Sequence, residues 1–285
     1  MATGDSGNFA GGLLEVIESE ALIKFSEANV CLPLLTVKGE PKADSITFIA
    51  YNAGSNVLTS ADVVNTGEGT VTPSTALDTE KKTATLDMYS VMVPIYDEAM
   101  LSNADDVASN VGALVGNALA AKVDALVNAS YDAFSSAVGT STAALTVDDL
   151  FSALKTLKSN SAMGQPNAVL DPAQIWGSYG VHNDLVTAAQ FAGAGVQDEG
   201  ARTGFVQRIA GIGIHSSPEF TEASSATKGG VFTSGALGFG YAGELFRLES
   251  YREGSYLRDN IIGSGFWDVV EIIDAWGVEI HTKTS

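Results

Sequence analysis

The strongest pattern of apolar positions lies in the middle of the chain and predicts one long helix. Ten apolar residues recur there at three- and four-residue intervals, which is the spacing of one helical face. They are Val107, Val111, Leu114, Val115, Ala118, Leu119, Leu126, Val127, Tyr131 and Phe134. Ser102 and Asp105 suit the start of this helix, and Gly139 suits its end. We therefore predict a helix over residues 104–138, roughly 45–50 Å long, with a single apolar stripe.

A second helical pattern lies near the N-terminus, behind a segment of different composition. Residues 1–12 are small, polar and rich in glycine, and they predict a flexible arm. From Leu13 to Ala28 apolar residues recur at helical spacing, with polar residues opposite them. The apolar positions are Leu14, Ile17, Ala21, Phe25 and Ala28, and the polar ones are Glu15, Glu18, Ser19 and Glu27. This pattern predicts a short amphipathic helix.

Capping residues predict two further helices. Thr146-Val-Asp-Asp149 starts the first, whose buried face would carry Val147, Leu150, Leu154 and Leu157. The second follows a short buried strand over 167–170. Asp171 is its N-cap, with Pro172 at the first helical position and Gln174 at the third.

Alternating apolar positions predict strands on either side of a long polar segment. The first strand covers residues 44–51, with Ile46 and Phe48 on one face, and the second covers 83–93. Residues 52–79 between them are rich in glycine, serine, threonine and asparagine and contain no lysine or arginine. A long excursion of this kind is uncommon in a compact domain, and the composition favours a long two-stranded hairpin with a polar tip.

The rest of the chain is dominated by strands. A loop rich in glycine and alanine at 192–204 precedes a predicted strand over 205–217, which carries Gly211 and Gly213. Residues 229–285 predict strand after strand, and the nearly continuous apolar stretch 266–280 is typical of a strand buried on both faces. Helices and strands mix without regular alternation, so we predict an α+β fold.

Composition narrows the function. The 285 residues are 45% hydrophobic and only 17% charged, which favours a surface largely covered by other subunits, with an ordinary apolar monomer as the alternative. The net charge is −19 and the largest basic cluster is Lys81-Lys82, which excludes binding of nucleic acid through its phosphates. Without a signal-peptide pattern or an unbroken run of about 18 apolar residues, we expect folding in a cytoplasm and no membrane span.

Two patterns could carry cofactor or metal chemistry, and neither is persuasive. Gly238-Phe-Gly-Tyr-Ala-Gly243 matches the dinucleotide-binding glycine pattern, but no helical stripe follows it, so glycine punctuation within a sheet is favoured. His182, His215 and His281 lie far apart, without the spacing of zinc or iron ligands. We predict no cofactor, no metal and no catalytic residue.

The remaining polar candidates have structural explanations. The carboxylate pairs Asp97-Glu98, Asp105-Asp106 and Asp148-Asp149 lie at or near helix starts, where capping and the macrodipole explain them. Cys31 lacks a catalytic signature and is predicted to be a small buried residue. A run of alternating charges is open to two interpretations, a solvated face or a charged rim between subunits. Its members are Arg247, Arg252, Arg258, Glu244, Glu249, Glu253 and Asp259.

The order of these elements resembles the major capsid protein family of tailed bacteriophages, whose fold is called Hong Kong ninety-seven-like. The most specific piece is Val-Leu-Asp-Pro172 before a helix, whereas Gly213 stands where many members have a proline. The resemblance implies five regions: an N-terminal arm (1–43), an E-loop hairpin (44–93), a peripheral domain (94–144) with the spine helix (104–138), an axial domain (145–240), and strands returning through both domains (241–285).

The resemblance also implies a function. It predicts a structural protein, not an enzyme, that assembles as hexamers and pentamers into an icosahedral shell around double-stranded DNA. It implies a virion protein assembled in the host cytoplasm, with a separate scaffolding protein, a portal and a decoration protein as partners. Some members crosslink through an E-loop lysine, which residues 52–79 lack. Two alternatives stay open, namely an encapsulin-like nanocompartment shell with a protein cargo and a soluble α+β hydrolase.

Overall fold

The fold comes from a computed structural model that describes most of the chain. It describes residues 6–51, 63, 65, 79–183, 208–209, 211–223 and 225–284, without the side chains of 6–14, 99–106, 108 and 208. The predicted loop at 192–204 and most of the predicted hairpin tip lie outside these residues. The described helices are α1 (Ser6–Ala28), α2 (Asp97–Ser130), α3 (Val147–Ser159) and α4 (Pro172–Trp176).

The described strands form two large sheets and one hairpin. They are β1 (Thr36–Glu40), β2 (Ser45–Tyr51), β3 (Thr79–Thr85), β4 (Asp87–Tyr96), β5 (Ala137–Thr140), β6 (Asn167–Leu170), β7 (Arg208–Ile209), β8 (Ile212–Ser216), β9 (Ala226–Phe232), β10 (Leu237–Ala242), β11 (Arg247–Glu253), β12 (Arg258–Glu271) and β13 (Gly277–Lys283). In the five-stranded sheet, the long strand β12 pairs with β4 along one edge and with β11 and then β10 along the other, and β1 pairs with β10. The six-stranded sheet runs β5-β13-β9-β6-β8-β7, and β2 pairs with β3. The predicted α+β mixture is confirmed.

The N-terminal helix is longer than its pattern indicates. The predicted helix is present, and Ile17, Ala21 and Phe25 are buried on its inward face, whereas Ala28 is exposed. The four polar positions opposite them face solvent as predicted. The expectation of a flexible arm is wrong for residues 6–12, which continue the helix. Once a helix is anchored by packing, each added residue gains a backbone hydrogen bond, and this extends α1 through its glycines.

The long helix is confirmed, but both of its predicted ends are wrong. It begins at Asp97, seven residues before the predicted start, and Asp97 and Glu98 lie in its first turn, where the macrodipole favours negative charge. It ends at Ser130, followed by a 3-10 turn over Tyr131–Ala133. Gly139, the predicted stop, lies within β5 with a φ of +84°. Pairing of β5 with β13 takes these residues out of the helix.

The apolar stripe of α2 faces both α1 and the five-stranded sheet. Val115 and Leu119 are buried as predicted, and a Cβ added at Gly263 of β12 would lie 2.7 Å from Val115. A Cβ added at Gly112 would lie 2.6 Å from the carbonyl oxygen of Ile17, so α1 approaches α2 closely there. Leu114 was expected in the stripe, but it is 62% exposed. The buried stripe is therefore narrower than predicted, because Leu114 lies outside the faces that contact α1 and the sheet.

One stretch of α2 also has the length and composition of a membrane span. Residues 109–133 pass such a test, although the chain contains no unbroken apolar run of that length. In the fold half of this stretch is buried against other elements, as in the core helix of a globular protein. The burial of Val123 and Val127 within the main core explains the apolar composition.

The second core lies between the six-stranded sheet and α3. Leu150, Ala153 and Leu157 of α3 are buried there, and Thr146 and Asp149 form a reciprocal capping box. Asp171 and Gln174 form a second capping box at the start of α4, so both predicted helix starts are confirmed.

Two predicted strands in this half of the chain are interrupted. The strand predicted over 205–217 is in fact two antiparallel strands, β7 and β8, that reverse near Gly211, whose φ is +85°. The stretch 266–280 is not one strand either, because a 3-10 turn over Asp274–Trp276 separates β12 from β13 and takes the chain to the other sheet. The apolar content of the sequence alone does not reveal that the chain changes sheets here.

Candidate functional site

The base of the predicted hairpin is present in the fold. Strands β2 and β3 pair antiparallel from Ser45 opposite Thr85 to Tyr51 opposite Thr79. Ile46 and Phe48 are buried on one face as predicted. They form a small core with Ala50, Ala84, Leu86 and Ile272. The hairpin strands therefore belong to the subunit's own core, and their opposite face is free in the described chain, where Tyr51 is 65% exposed.

The hairpin rests on the glycine motif that the sequence analysis singled out. Gly238 and Gly240 lie in β10, between β1 and β12, and the next element is the strand β11 rather than a helix. A Cβ added at Gly238 would lie 2.8 Å from the Phe48 ring, and one added at Gly240 would lie 3.3 Å from the Cβ of Ile46. The glycines thus admit the hairpin to the sheet, and the prediction of glycine punctuation is confirmed.

The five-stranded sheet has two different faces. Gly263 and Trp267 belong to the inner face, which α2 covers. The outer face is opposite α2, and the hairpin covers it only at the β10 end. The outer face elsewhere carries apolar side chains on β4 and β11, of which Met88 is 68% exposed and Met92 51% exposed. Met92 is paired with Ile262 in register, and the Tyr251 hydroxyl lies 3.9 Å from the Met92 sulfur.

An open groove lies beside this apolar patch, at Met88. Its volume is about 560 Å³, and Met88, Phe266, Glu244 and Arg247 are among its lining residues. The groove is thus lined by the apolar side chains of Met88 and Phe266 and by one acidic and one basic residue, Glu244 and Arg247. We call the groove together with Met88, Met92 and Tyr251 the outer-face patch. A contiguous exposed apolar surface of this kind is typical of a site that binds another molecule.

A second exposed apolar surface lies on α1. Val16, Leu22 and Ile23 are each about half exposed, on the sides of the helix that do not contact α2. An isolated exposed apolar residue is ordinary, but three within eight positions of one helix form a surface that another chain can cover.

The alternating charges form ion pairs within the chain. Arg252 donates to Asp97 at 2.6 Å and to Asp259 at 3.2 Å, so it joins the start of α2 to the far end of the sheet. Arg258 binds Glu253 at 2.7 Å. The Arg252 side chain is 44% exposed, and pairs of this kind each add little stability. Their position at the end of the sheet is compatible with either of the two interpretations above.

A buried carboxylate on α2 was not found by sequence analysis. Asp124 is 2% exposed, and its two oxygens accept hydrogen bonds from the backbone amides of Val30 and Cys31, each at 3.0 Å. Burial raises the pKa of Asp124, whereas the two amide hydrogen bonds lower it. Asn128, one turn further along, donates to the Glu219 carbonyl at 2.9 Å. Asp124 therefore fixes the segment that follows α1, and Asn128 fixes the segment around Glu219. A search for apolar periodicity cannot detect either residue.

The other candidate residues do not converge on a site. Cys31 is buried, and burial followed by the nearby Asp124 raises the pKa of its thiol, which supports the structural interpretation. Asp97 and Asp149 are engaged by Arg252 and Thr146, and the side chains of Asp105 and Asp106 lie outside the described residues. Among the described residues there is no group of three histidine, cysteine or acidic side chains that could hold a metal ion.

Comparisons with known proteins agree on the fold. No protein-family model matches the chain, and no curated protein matches its sequence. Among solved structures, the capsid of cyanophage P-SCSP1u matches with a TM-score of 0.66 and 20% identity, covering 90% of this chain and 89% of that one. The capsid of Ralstonia phage GP4 matches with a TM-score of 0.64 and 11% identity, covering 88% and 87%.

A third match is not described as a phage. The virus-like particle from Pyrococcus furiosus has a TM-score of 0.56 and 15% identity, and the match covers 93% of this chain and 98% of that one. Each of these matches covers between 87% and 98% of both chains. The chain therefore has the Hong Kong ninety-seven-like fold of tailed-phage capsid proteins.

Proposed function

We propose that this chain is the major capsid protein of a tailed bacteriophage, a structural subunit that assembles into an icosahedral shell around double-stranded DNA. The observation that carries the proposal is the likeness over about nine tenths of the chain to the capsids of cyanophage P-SCSP1u and Ralstonia phage GP4. In this role the protein is a component of the virion and does no chemistry of its own.

Exposed apolar surface supports self-assembly. The outer-face patch and the exposed side of α1 both carry large apolar residues, among them Met88, Met92 and Ile23. Burial of such surface stabilises an assembly by about 25 cal/mol per Å². The sequence has few charges to oppose that burial, since only 17% of its residues are charged. Neighbouring subunits in hexamers and pentamers are the proposed occupants of these surfaces.

The charge of the chain suits a container for DNA. A net charge of −19 repels phosphates, so the shell would hold its genome without binding it tightly. A separate scaffolding protein, a portal and a decoration protein belong to the proposal as partners. The division into arm, E-loop, peripheral and axial domains remains a prediction.

An encapsulin-like shell is the second candidate. The likeness to the virus-like particle from Pyrococcus furiosus favours it, because that match covers 98% of the particle's chain. The contents of purified particles distinguish the two functions. Nuclease-protected double-stranded DNA supports a capsid, whereas a protein cargo without DNA supports the compartment.

Light scattering and negative-stain microscopy of the purified protein test the proposal. At micromolar concentration, over a range of salt, we expect capsomers or closed particles to dominate. We expect the Met88→Glu/Met92→Glu variant to lose assembly while its thermal melting stays close to that of the parent. Met163→Glu is the control, since Met163 is 69% exposed but lies shortly after α3 and does not belong to the five-stranded sheet. A monodisperse monomer under all conditions would contradict the proposed function.

A further inference from the structure

We infer that Gly238 and Gly240 act as positioning residues that set the direction in which the β2–β3 hairpin leaves the subunit. The inference rests on the proposed function, in which this hairpin reaches a neighbouring subunit. It adds the residues that position the hairpin. The same glycines that resemble a nucleotide-binding pattern thereby acquire a role in assembly.

The contact between glycines and hairpin is direct and has two points. Gly238 lies beneath Phe48, and an added Cβ would come within 2.8 and 2.9 Å of two ring carbons. Gly240 lies beneath Ile46, and an added Cβ would come within 3.3 Å of that residue's own Cβ. In a strand, residues two apart point to the same side, so the two glycines match the two hairpin residues one for one.

The two contacts differ in how they would respond to a larger residue. The Phe48 ring belongs to a side chain that is buried in the small core, so a methyl group at Gly238 displaces the ring and its packing before it displaces the backbone of β2. The Cβ of Ile46 is attached directly to the backbone of β2, so a methyl group at Gly240 displaces the strand itself by a few tenths of an ångström. Gly240 therefore controls the height of the hairpin above the sheet, and Gly238 controls the space for its main aromatic anchor.

The hairpin depends on this contact for its orientation. A two-stranded hairpin is at best marginally stable alone and needs a surface against which to pack. Within the described residues, the buried face of β2–β3 packs on Gly238 and Gly240 of β10, and on Phe266 and Val270 of β12 with the adjacent Ile272. The opposite face is exposed, for example at Ile49 and Tyr51. A tilt at the base is therefore not corrected from the other side, and its effect grows with distance from the base.

Alanine substitutions test the inference with two measurements. Hydrogen exchange of the unassembled subunit reads the protection of β2 and β3 against that of α3, and negative staining reads the diameters of assembled particles. For Gly238→Ala and Gly240→Ala we expect roughly tenfold faster exchange in β2–β3 alone, with particles absent or widely distributed in diameter. Gly254→Ala is the matched control, because a Cβ there meets no atom within 4 Å and the residue has no left-handed backbone.

A compensating change makes the test specific. The new methyl group would meet two Phe48 ring carbons and, at 2.9 Å, the Cδ1 of Ile272. Phe48→Leu removes the ring carbons and leaves the Ile272 contact, so Gly238→Ala/Phe48→Leu should recover part of the hairpin's protection and of regular assembly. This double variant and Gly240→Ala decide the question if Gly238→Ala alone fails to fold.

Three results would overturn the inference. They are unchanged exchange and unchanged particles in both glycine variants, loss of particles with unchanged exchange, and no recovery in the double variant. If the parent protein forms no shells, the proposed function is wrong, and the exchange measurement on the free subunit alone then decides whether the glycines hold the hairpin.

Discussion

At the scale of single residues, Asp124 does what no apolar residue on α2 can do. Its two carboxylate oxygens accept the amides of Val30 and Cys31, the residues that follow α1. These amides follow the end of the helix, and without Asp124 the buried amide of Cys31 and the half-buried amide of Val30 would each lose this acceptor. Two charge-assisted hydrogen bonds offset part of the free energy of burying the carboxylate, and burial remains the larger effect because the pKa of Asp124 stays raised.

Replacing Asp124 should therefore destabilise the subunit more than an ordinary surface change. For Asp124→Ala we expect a loss of about 1–3 kcal/mol in the free energy of unfolding for each amide left unsatisfied. Urea unfolding of the unassembled subunit measures it. Asp132→Ala is the control, because Asp132 is 67% exposed and its pair with Lys228 is worth at most about 1 kcal/mol. Equal losses in the two variants would show that the Asp124 bonds add nothing beyond a surface pair.

At the scale of elements, α2 separates buried from exposed leucines on a single helix. Leu119 is 3% exposed and Leu114 is 62% exposed, although the apolar pattern predicts both in the stripe. For Leu119→Ala we expect a loss of about 2–5 kcal/mol through lost burial and a residual cavity. For Leu114→Ala we expect a change within about 0.5 kcal/mol. Thermal and urea unfolding of both variants compare them directly.

A single proline substitution in the same helix tests its continuity. Leu119→Pro removes a backbone hydrogen bond and places a ring against the preceding turn, which costs about 3 kcal/mol or more. We expect insoluble protein or no particles from this variant. Normal particles from it would mean that the helix does not need to be continuous at this point.

The sequence predicted elements better than their ends or partners. The long helix, the two capping boxes and the buried pair Ile46 and Phe48 follow from local periodicity and cap chemistry, which act within a few residues. The start of α2 at Asp97 does not, because the preceding strand β4 pairs with β12 up to Tyr96 opposite Arg258, more than 150 residues away. Nor does the split at Asp274–Trp276, because the apolar character continues while the chain changes sheets.

The candidate site shows the same division between local and distant causes. The glycines of β10 were recognised as sheet punctuation from the absence of a helical stripe after them. Their partner was not, because the approach of Phe48 to Gly238 joins segments 190 residues apart in sequence. Exposed residues such as Met88 and Met92 could not be distinguished from core residues, since alternation along β4 has an apolar residue on both faces.

At the scale of the whole molecule, the hairpin is the element that distinguishes subunit stability from assembly. The described strand pairing runs from Ser45 opposite Thr85 to Tyr51 opposite Thr79, and the small core around Phe48 is formed by residues on this paired part together with Leu86 and Ile272. Replacing residues 55–76 with a two-residue Asn-Gly turn should leave that core folded, since we expect only the closure of the loop to change. We therefore expect the melting temperature of the free subunit to stay within a few degrees of the parent value.

Assembly of the shortened protein should nevertheless fail or give fragile particles, because the deleted segment is the part proposed to reach a neighbouring subunit. A thermal melt of the subunit and negative-stain images of the assembly reaction are compared for the same preparation. A control that replaces 55–76 with a Gly/Ser segment of equal length separates the effect of length from that of sequence. Shells as robust as the parent's would show that this segment is not an intersubunit clamp. A collapsed melting transition would instead place the segment within the subunit core, and the outer-face patch would then be the main remaining structural argument for assembly.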